Sequence, residues 1–204
     1  MSQDYYVIGI DVMSYSQKRL EEQVHAQDLL DRTLATSLKQ FSLLPNQIWI
    51  DGGDGGYLLL TGEVKHIMNF LEHFFMSLGR ENNKLKEENR APVRCAIHYD
   101  SIDIRQGELG PKYTGNAINV CSRLLSGMNR TPNQVVCSAN FRVHLTKFND
   151  HLETITRLKD IVDKHGNHHP MYNLKRNNLG TIPASTEVHP DPVLRFDDTD
   201  TSGK

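Results

Sequence analysis

The stretch Gln47-Ile48-Trp49-Ile50-Asp51-Gly52-Gly53-Asp54-Gly55-Gly56-Tyr57-Leu58-Leu59-Leu60 decides how the chain is to be read. Two short apolar runs flank a turn made of glycines and carboxylates, the pattern of a β-hairpin with an acidic tip. Glycine tolerates positive φ and lets backbone approach backbone or a ligand closely. A carboxylate at such a tip is well placed to hold a hard cation, and Asp54 is the candidate. Asp-Gly turns also occur in hairpins that bind nothing, so the motif needs support from elsewhere in the chain.

That support begins upstream. Tyr5-Tyr6-Val7-Ile8-Gly9-Ile10-Asp11-Val12 is a β-rich apolar run that reads as a central strand, with Asp11 at its end as a second candidate carboxylate. From Gln17 to Leu44 the spacing predicts a helix, with Ser16 as N-cap, a stripe of Leu20, Val24, Leu30, Leu34 and Leu38, and Pro45 beyond its end. After the hairpin, which is expected to run to Gly62, a second helix begins near Glu63. Its Val64, Ile67, Met68, Leu71, Phe74, Phe75 and Leu78 form a wide core-facing side.

Downstream, Pro92 to Tyr99 reads as another strand, with His98 as a structural histidine at its end, and Ser101 to Arg105 shows half-exposed alternation. Gly107 to Gly115 reads as a glycine-rich loop. The helix that follows, Asn116 to Leu125, carries Asn119 and Arg123 at i and i+4, on one face. An amide beside a guanidinium fork suits a sugar oxygen and a phosphate. Gln134 to Ser138 is a strand, Ala139 to Thr146 a short helix, and Met171 to Leu174 a last strand preceded by a basic turn, Lys164-His165-Gly166. The neighbouring His168 and His169 would point to opposite faces of a strand and make a poor metal clamp. From Lys175 the sequence turns polar and proline-bearing, so residues 1–174 are expected to form the domain and 175–204 a flexible tail.

Composition narrows the classes. The chain has 204 residues, 38% of them hydrophobic and 24% charged, with a net charge of −2, which fits one domain with a sizeable core and offers no basic surface for bulk nucleic acid. An anionic ligand therefore needs local cations or a metal. No run of about twenty apolar residues spans a membrane and no signal pattern opens the chain, so a cytoplasmic location is expected. The three cysteines, Cys95, Cys121 and Cys137, lie singly in apolar runs and read as buried reduced thiols.

The order of strand with Asp, helix, acidic hairpin, helix, strand and Asn-xxx-Arg helix resembles the catalytic domain of class III nucleotidyl cyclases. Ile8 to Ser16 is similar to that family's first metal strand, Gly53-Asp54-Gly55 to its second metal hairpin, Arg94 to His98 to its Arg-x-x-Ile-His strand, and Gly115 to Leu124 to its Asn/Arg helix. The resemblance covers about Tyr5 to Leu174 and implies an α+β fold. Its core would be ferredoxin-like, βαββαβ, with helices packed on an antiparallel or mixed sheet. It further implies two divalent ions, Mg²⁺ or Mn²⁺, held by Asp11, the carbonyl of Val12, and Asp54. Asn119 would orient the ribose, Arg123 would stabilise charge on the α-phosphate, and Lys164, with the neighbouring His165 as the alternative, would bind the triphosphate. The two halves of each site would come from different protomers of a homodimer.

Family members that use ATP carry a lysine four residues before the hairpin Asp and commonly an aspartate seven residues before the helix Asn. Here those positions are Ile50 and Lys112, and the glutamate usual in guanylate enzymes is missing from the first of them as well. Ile50 beside Lys112 and Tyr113 suits a smaller pyrimidine ring, with Lys112 donating to a base carbonyl. The chain is thus most similar to the stand-alone Pycsar anti-phage cyclases, and UTP is preferred over CTP as the expected substrate. The cyclic product would act on a separate effector protein. Three other readings stay open at this point: a diguanylate-cyclase-like enzyme, argued against by the foreign Asn119/Arg123 helix; an adenylate cyclase with atypical base contacts; and a cyclase-like binding module without catalysis.

Overall fold

The structure, a computed structural model, describes residues 2–146 and 154–175. In chain order the elements are β1 (Ser2–Val12), α1 (Leu20–Gln40), β2 (Ile48–Asp51), β3 (Gly55–Leu60), α2 (Val64–Asn82), β4 (Val93–Gly107), β5 (Gly110–Thr114) and α3 (Ala117–Gly127). They continue with β6 (Val135–Ser138), α4 (Ala139–Thr146), β7 (Thr154–Arg157), β8 (Ile161–Val162), β9 (His168–His169) and β10 (Met171–Lys175). The main sheet runs β2-β3-β1-β4-β6-β10-β7, with β5 paired to the far half of β4; β8 and β9 form a separate small ladder. Among the described residues only the β4–β6 pair is parallel, so the sheet is mixed and mostly antiparallel, around the expected βαββαβ core.

Strand alternation divides the core in two. Ile8, Ile10, Leu58, Leu60, Cys95 and Ile97 point to the side covered by α1, α2 and α4, where Phe70, Phe74, Phe75 and Phe141 are buried. Val7, Leu59, Ala96 and Val136 point to the other side, under Ala117, Val120, Cys121 and Leu124 of α3. Gly9 is what lets α3 settle so close: a Cβ there would stand 2.6 Å from Leu125 Cδ1 and 3.0 Å from Cys121 Sγ. All three cysteines are buried and free, and burial pushes the Cys121 and Cys137 thiols up to about 12.

Three expectations need correction. The first helix starts at Leu20 and ends at Gln40, not at Gln17 and Leu44, because Ser14 adopts φ 57 and turns the chain into a single 3₁₀ turn at Tyr15–Gln17. Arg19, not Ser16, caps it, its backbone N–H donating to Glu22 Oε2 at 2.9 Å. Leu20 and Val24 extend the apolar spacing beyond the sheet that α1 covers, so they stand 75% and 49% exposed, while Ala26, Leu29, Thr33 and Ser37 complete the buried face. Residues 107–115 are not a plain loop. Gly107 faces Gly110 across Glu108-Leu109, and β5 returns along β4 with Tyr113 opposite Ile104. Residues 158–174 hold a β8–β9 hairpin as well as the expected last strand. Of the expected tail, 175–204, Lys175 is instead the last residue of β10, and 176–204 lie outside the described residues.

Candidate active site

Strand register brings the two candidate carboxylates together. Asp11 is opposite Gly55 on β3, and the Val12 amide donates to the Asp54 carbonyl at 2.8 Å, which ties the end of β1 to the hairpin tip. Gly55 makes the approach possible: at φ +150 its missing Cβ would lie 2.0 Å from the Ile10 carbonyl oxygen. Gln27 of α1 clamps the tip from outside, Nε2 donating to the Gly53 carbonyl at 2.7 Å. The result is a cleft of about 170 Å³ that Asp11, Val12, Tyr15, Asp54, Arg94 and Arg130 help to line.

Arg94 lies directly across from Asp11 on β4. Its Nε donates to Asp11 Oδ2 at 2.6 Å and its Nη1 to the Met128 carbonyl, just past α3, at 3.3 Å. Sequence reasoning placed Arg94 in a strand motif without giving it a role, because the pairing spans 83 positions. Two carboxylates and the Val12 backbone around one polar cleft form a set of hard oxygen donors, and the donor chemistry fits Mg²⁺ or Mn²⁺. No group of three or more His, Cys, Asp and Glu gathers for a metal among the described residues, so the candidate set is these two carboxylates with backbone oxygen.

Asn119 and Arg123 stand elsewhere. Both project from α3, Asn119 exposed and Arg123 half-buried, and neither lines the cleft. Arg123 instead meets the β8–β9 hairpin: Nη2 is 3.3 Å from Asp163 Oδ2 and Nη1 3.3 Å from His169 Nε2. Lys164, next to Asp163, is exposed on the same turn. The chain therefore separates the sequence-predicted residues into two groups: Asp11, Val12 and Asp54 line the cleft, while Asn119, Arg123 and Lys164 lie outside it, with Arg123 against the turn that carries Lys164.

The three candidate base contacts divide as well. Ile50 and Tyr113 both pack on the sheet face that carries α3. Lys112 points to the opposite side of β5, its stem lying over Gly107, whose Cβ would be 2.7 Å from Lys112 Cε. The sequence reading passes over Asp163 and weighs His169, with His168, only as a poor metal ligand. The signal that could have found Asp163 is the Asp-x-x-Gly-Asn turn ending at Asn167, with Gly166 at φ +78.

No family profile and no curated protein matches the sequence. Solved structures do match. An adenylate/guanylate cyclase/hydrolase from Silicibacter pomeroyi superposes with a TM-score of 0.66 at 16% identity, over 87% of this chain and 99% of that one. The adenylyl cyclase CyaB from P. aeruginosa gives 0.60 at 14% identity, over 88% and 100%. The dimeric guanylyl cyclase domain of RhoGC from the aquatic fungus Blastocladiella emersonii gives 0.63 at 14%, over 86% and 98%. The βαββαβ core, α3 laid across Gly9 and the acidic hairpin thus compose the fold of adenylyl and guanylyl cyclase domains.

Proposed function

We propose that the protein is a nucleotidyl cyclase, converting a nucleoside triphosphate to its 3′,5′-cyclic monophosphate and pyrophosphate. The observation that carries this reading is the convergence of Asp11 and Asp54 on one cleft. The ribose 3′ oxygen, giving up its proton to water, attacks the α-phosphorus, the bond from that phosphorus to the oxygen bridging to the β-phosphate breaks, and pyrophosphate leaves with the charge that develops on it. Divalent ions held by Asp11, Asp54 and the Val12 carbonyl would supply Lewis-acid activation of the 3′ oxygen and neutralisation of the polyphosphate. Asn119 holds the ribose by its amide. Arg123 offers N–H donors where negative charge grows on the α-phosphate, and Lys164 binds the outer phosphates.

The placement of Asn119 and Arg123 away from the cleft favours a homodimer in which each site takes one half from each protomer. An isolated protomer would be inactive. In its narrower form the proposal makes UTP the substrate and cyclic UMP the product, with CTP as the alternative. Ile50 and Tyr113 offer an apolar edge and an aromatic ring in place of a purine reader, and Lys112 stays as a donor for a base carbonyl only if its side chain swings around the strand. The resemblance to anti-phage cyclases adds a role as a second-messenger source acting on a separate effector protein in the cytoplasm. No helix among the described residues is long and apolar enough to cross a membrane.

Incubating the purified protein with Mn²⁺ and each of ATP, GTP, CTP and UTP, and resolving the products by mass, tests the reading. A cyclic product from UTP or CTP supports the narrower form. Cyclic AMP or cyclic GMP keeps the chemistry and removes the pyrimidine assignment, and no cyclic product from any nucleotide removes the activity.

A further inference from the structure

One carboxylate organises the whole β8–β9 turn. Asp163 Oδ1 accepts the backbone N–H groups of His165 at 2.9 Å and Asn167 at 3.0 Å, and Oδ2 accepts Asn167 Nδ2 at 3.1 Å. The backbone closes over it, with Asp163 N–H donating to the Asn167 carbonyl and Gly166 N–H to the Asp163 carbonyl. The same Oδ2 faces Arg123 Nη2 at 3.3 Å and His169 Nε2 at 3.2 Å. The Asp163 side chain is only 4% exposed, against 29% for Arg123.

The protonation pattern follows from these contacts. Burial acts to raise the Asp163 pKa, but hydrogen bonds from Asn167, His169 and the His165 amide outweigh it and hold the carboxyl well below the usual carboxylate range. Facing an ionised Oδ2, His169 Nε2 carries its proton toward Asp163 and cannot also accept from Arg123 Nη1. Arg123 is therefore held through Asp163, and the rest of its donor fork stays available to a ligand. Lys164 follows Asp163 in sequence, so the carboxylate that fixes the guanidinium also shapes the loop presenting the ammonium.

We propose that Asp163 is a positioning residue that locks Arg123 to the Lys164 turn, so that the guanidinium and the ammonium meet a polyphosphate as one preformed unit. The inference rests on the cyclase reading for the roles of Arg123 and Lys164, while the lock itself is a property of the free protein. A tethered guanidinium has already lost much of its rotamer freedom, so less is lost when the transition state forms.

Two substitutions separate locking from folding the turn. Asp163→Asn keeps an oxygen for the backbone N–H groups of His165 and Asn167 but removes the charge, and the acceptor, from Arg123. It should lower kcat by about tenfold and leave KM within about twofold. Asp163→Ala loses the turn as well and should also raise KM. An Asp163→Asn protein with wild-type kcat overturns the proposal. A second readout does not need turnover: in the full-length ¹⁵N-arginine-labelled protein, the Arg123 side-chain signal, assigned by its loss in Arg123→Lys, should show hindered guanidinium rotation that Asp163→Asn releases. If the wild type makes no cyclic nucleotide, the cyclase reading falls and this signal alone decides the lock. An Arg123 signal unchanged in Asp163→Asn then overturns it.

Discussion

Arg94 and Asp11 face each other across neighbouring antiparallel strands, with the guanidinium Nε 2.6 Å from the carboxylate and both side chains less than a quarter exposed. In the free protein Arg94 thus supplies the positive charge that the Asp11 end of the cleft needs. Arg94→Ala should cost about 1–3 kcal/mol, because it removes the ion pair and the bond to the Met128 carbonyl together. A divalent cation can take over that charge. Mn²⁺ should therefore raise the melting temperature of Arg94→Ala more than that of the wild type, as read by thermal unfolding with and without the ion. Equal shifts would show that Asp11 does not hold the cation.

Gly55 at the cleft and Gly9 under α3 should respond differently to a methyl group. At Gly55 the added carbon meets the Ile10 carbonyl, which is backbone, at a φ that side chains rarely adopt. Gly55→Ala should cost about 3 kcal/mol or more and displace Asp54 with the hairpin tip. At Gly9 the nearest atoms belong to Leu125 and Cys121, whose side chains can shift, so Gly9→Ala should cost about 1–3 kcal/mol. Urea unfolding midpoints of the two variants give the order, and a milder effect at Gly55 would contradict the close approach of β3 to β1.

Which parts of this arrangement the sequence reveals depends on how far apart the partners lie. The sheet strands and the buried faces of α2 and α3 follow from local alternation and helical spacing, and the meeting of Asp11 with Asp54 follows once β1 and β3 pair. The N-terminal end of α1 misleads because spacing reports which side is apolar, not how far the sheet beneath extends; Leu20 and Val24 continue the stripe past its partner. The glycines of 107–115 hide a strand whose only alternation signal is Tyr113 against Ile104. Arg94 and Asp163 act through partners 83 and 40 positions away, and no spacing rule links such residues.

His98 should make the fold sensitive to mild acid. Its side chain is 4% exposed, Nδ1 lies 2.7 Å from Ser138 Oγ, and Nε2, which makes no close hydrogen bond, stands 3.5 Å from Asp100 Oδ2. Burial lowers its pKa from 6.5, against a smaller opposing pull from Asp100. The unfolded chain then binds the proton more readily, so stability is lost as pH falls from 6.5 toward the depressed folded value. The depressed Asp163 carboxyl acts in a separate window, its stabilisation being lost only as pH falls below 3.8. Unfolding free energies at about pH 7.5 and about pH 5.5 should differ more for the wild type than for His98→Gln, which keeps a partner for Ser138. An unchanged difference would mean that His98 is already charged in the fold.

The proposed shared-site dimer, with Asp54 and Arg123 in separate groups on each chain, leads to a mixing test. Asp54→Ala removes a carboxylate from the cleft, Arg123→Ala removes the cation from α3, and each variant alone should be inactive as a nucleotide cyclase. In a two-fold dimer that shares its sites, a mixed pair has one site with both defects and one with neither. Random exchange makes half of the dimers mixed, so an equimolar mixture should recover about a quarter of wild-type turnover per site. Sites built within a single protomer would recover none, because every copy would carry one defect. The cyclic product formed by the mixture, followed against the time allowed for subunit exchange, separates the two arrangements, and a rise that tracks exchange locates Arg123 across the interface from Asp54.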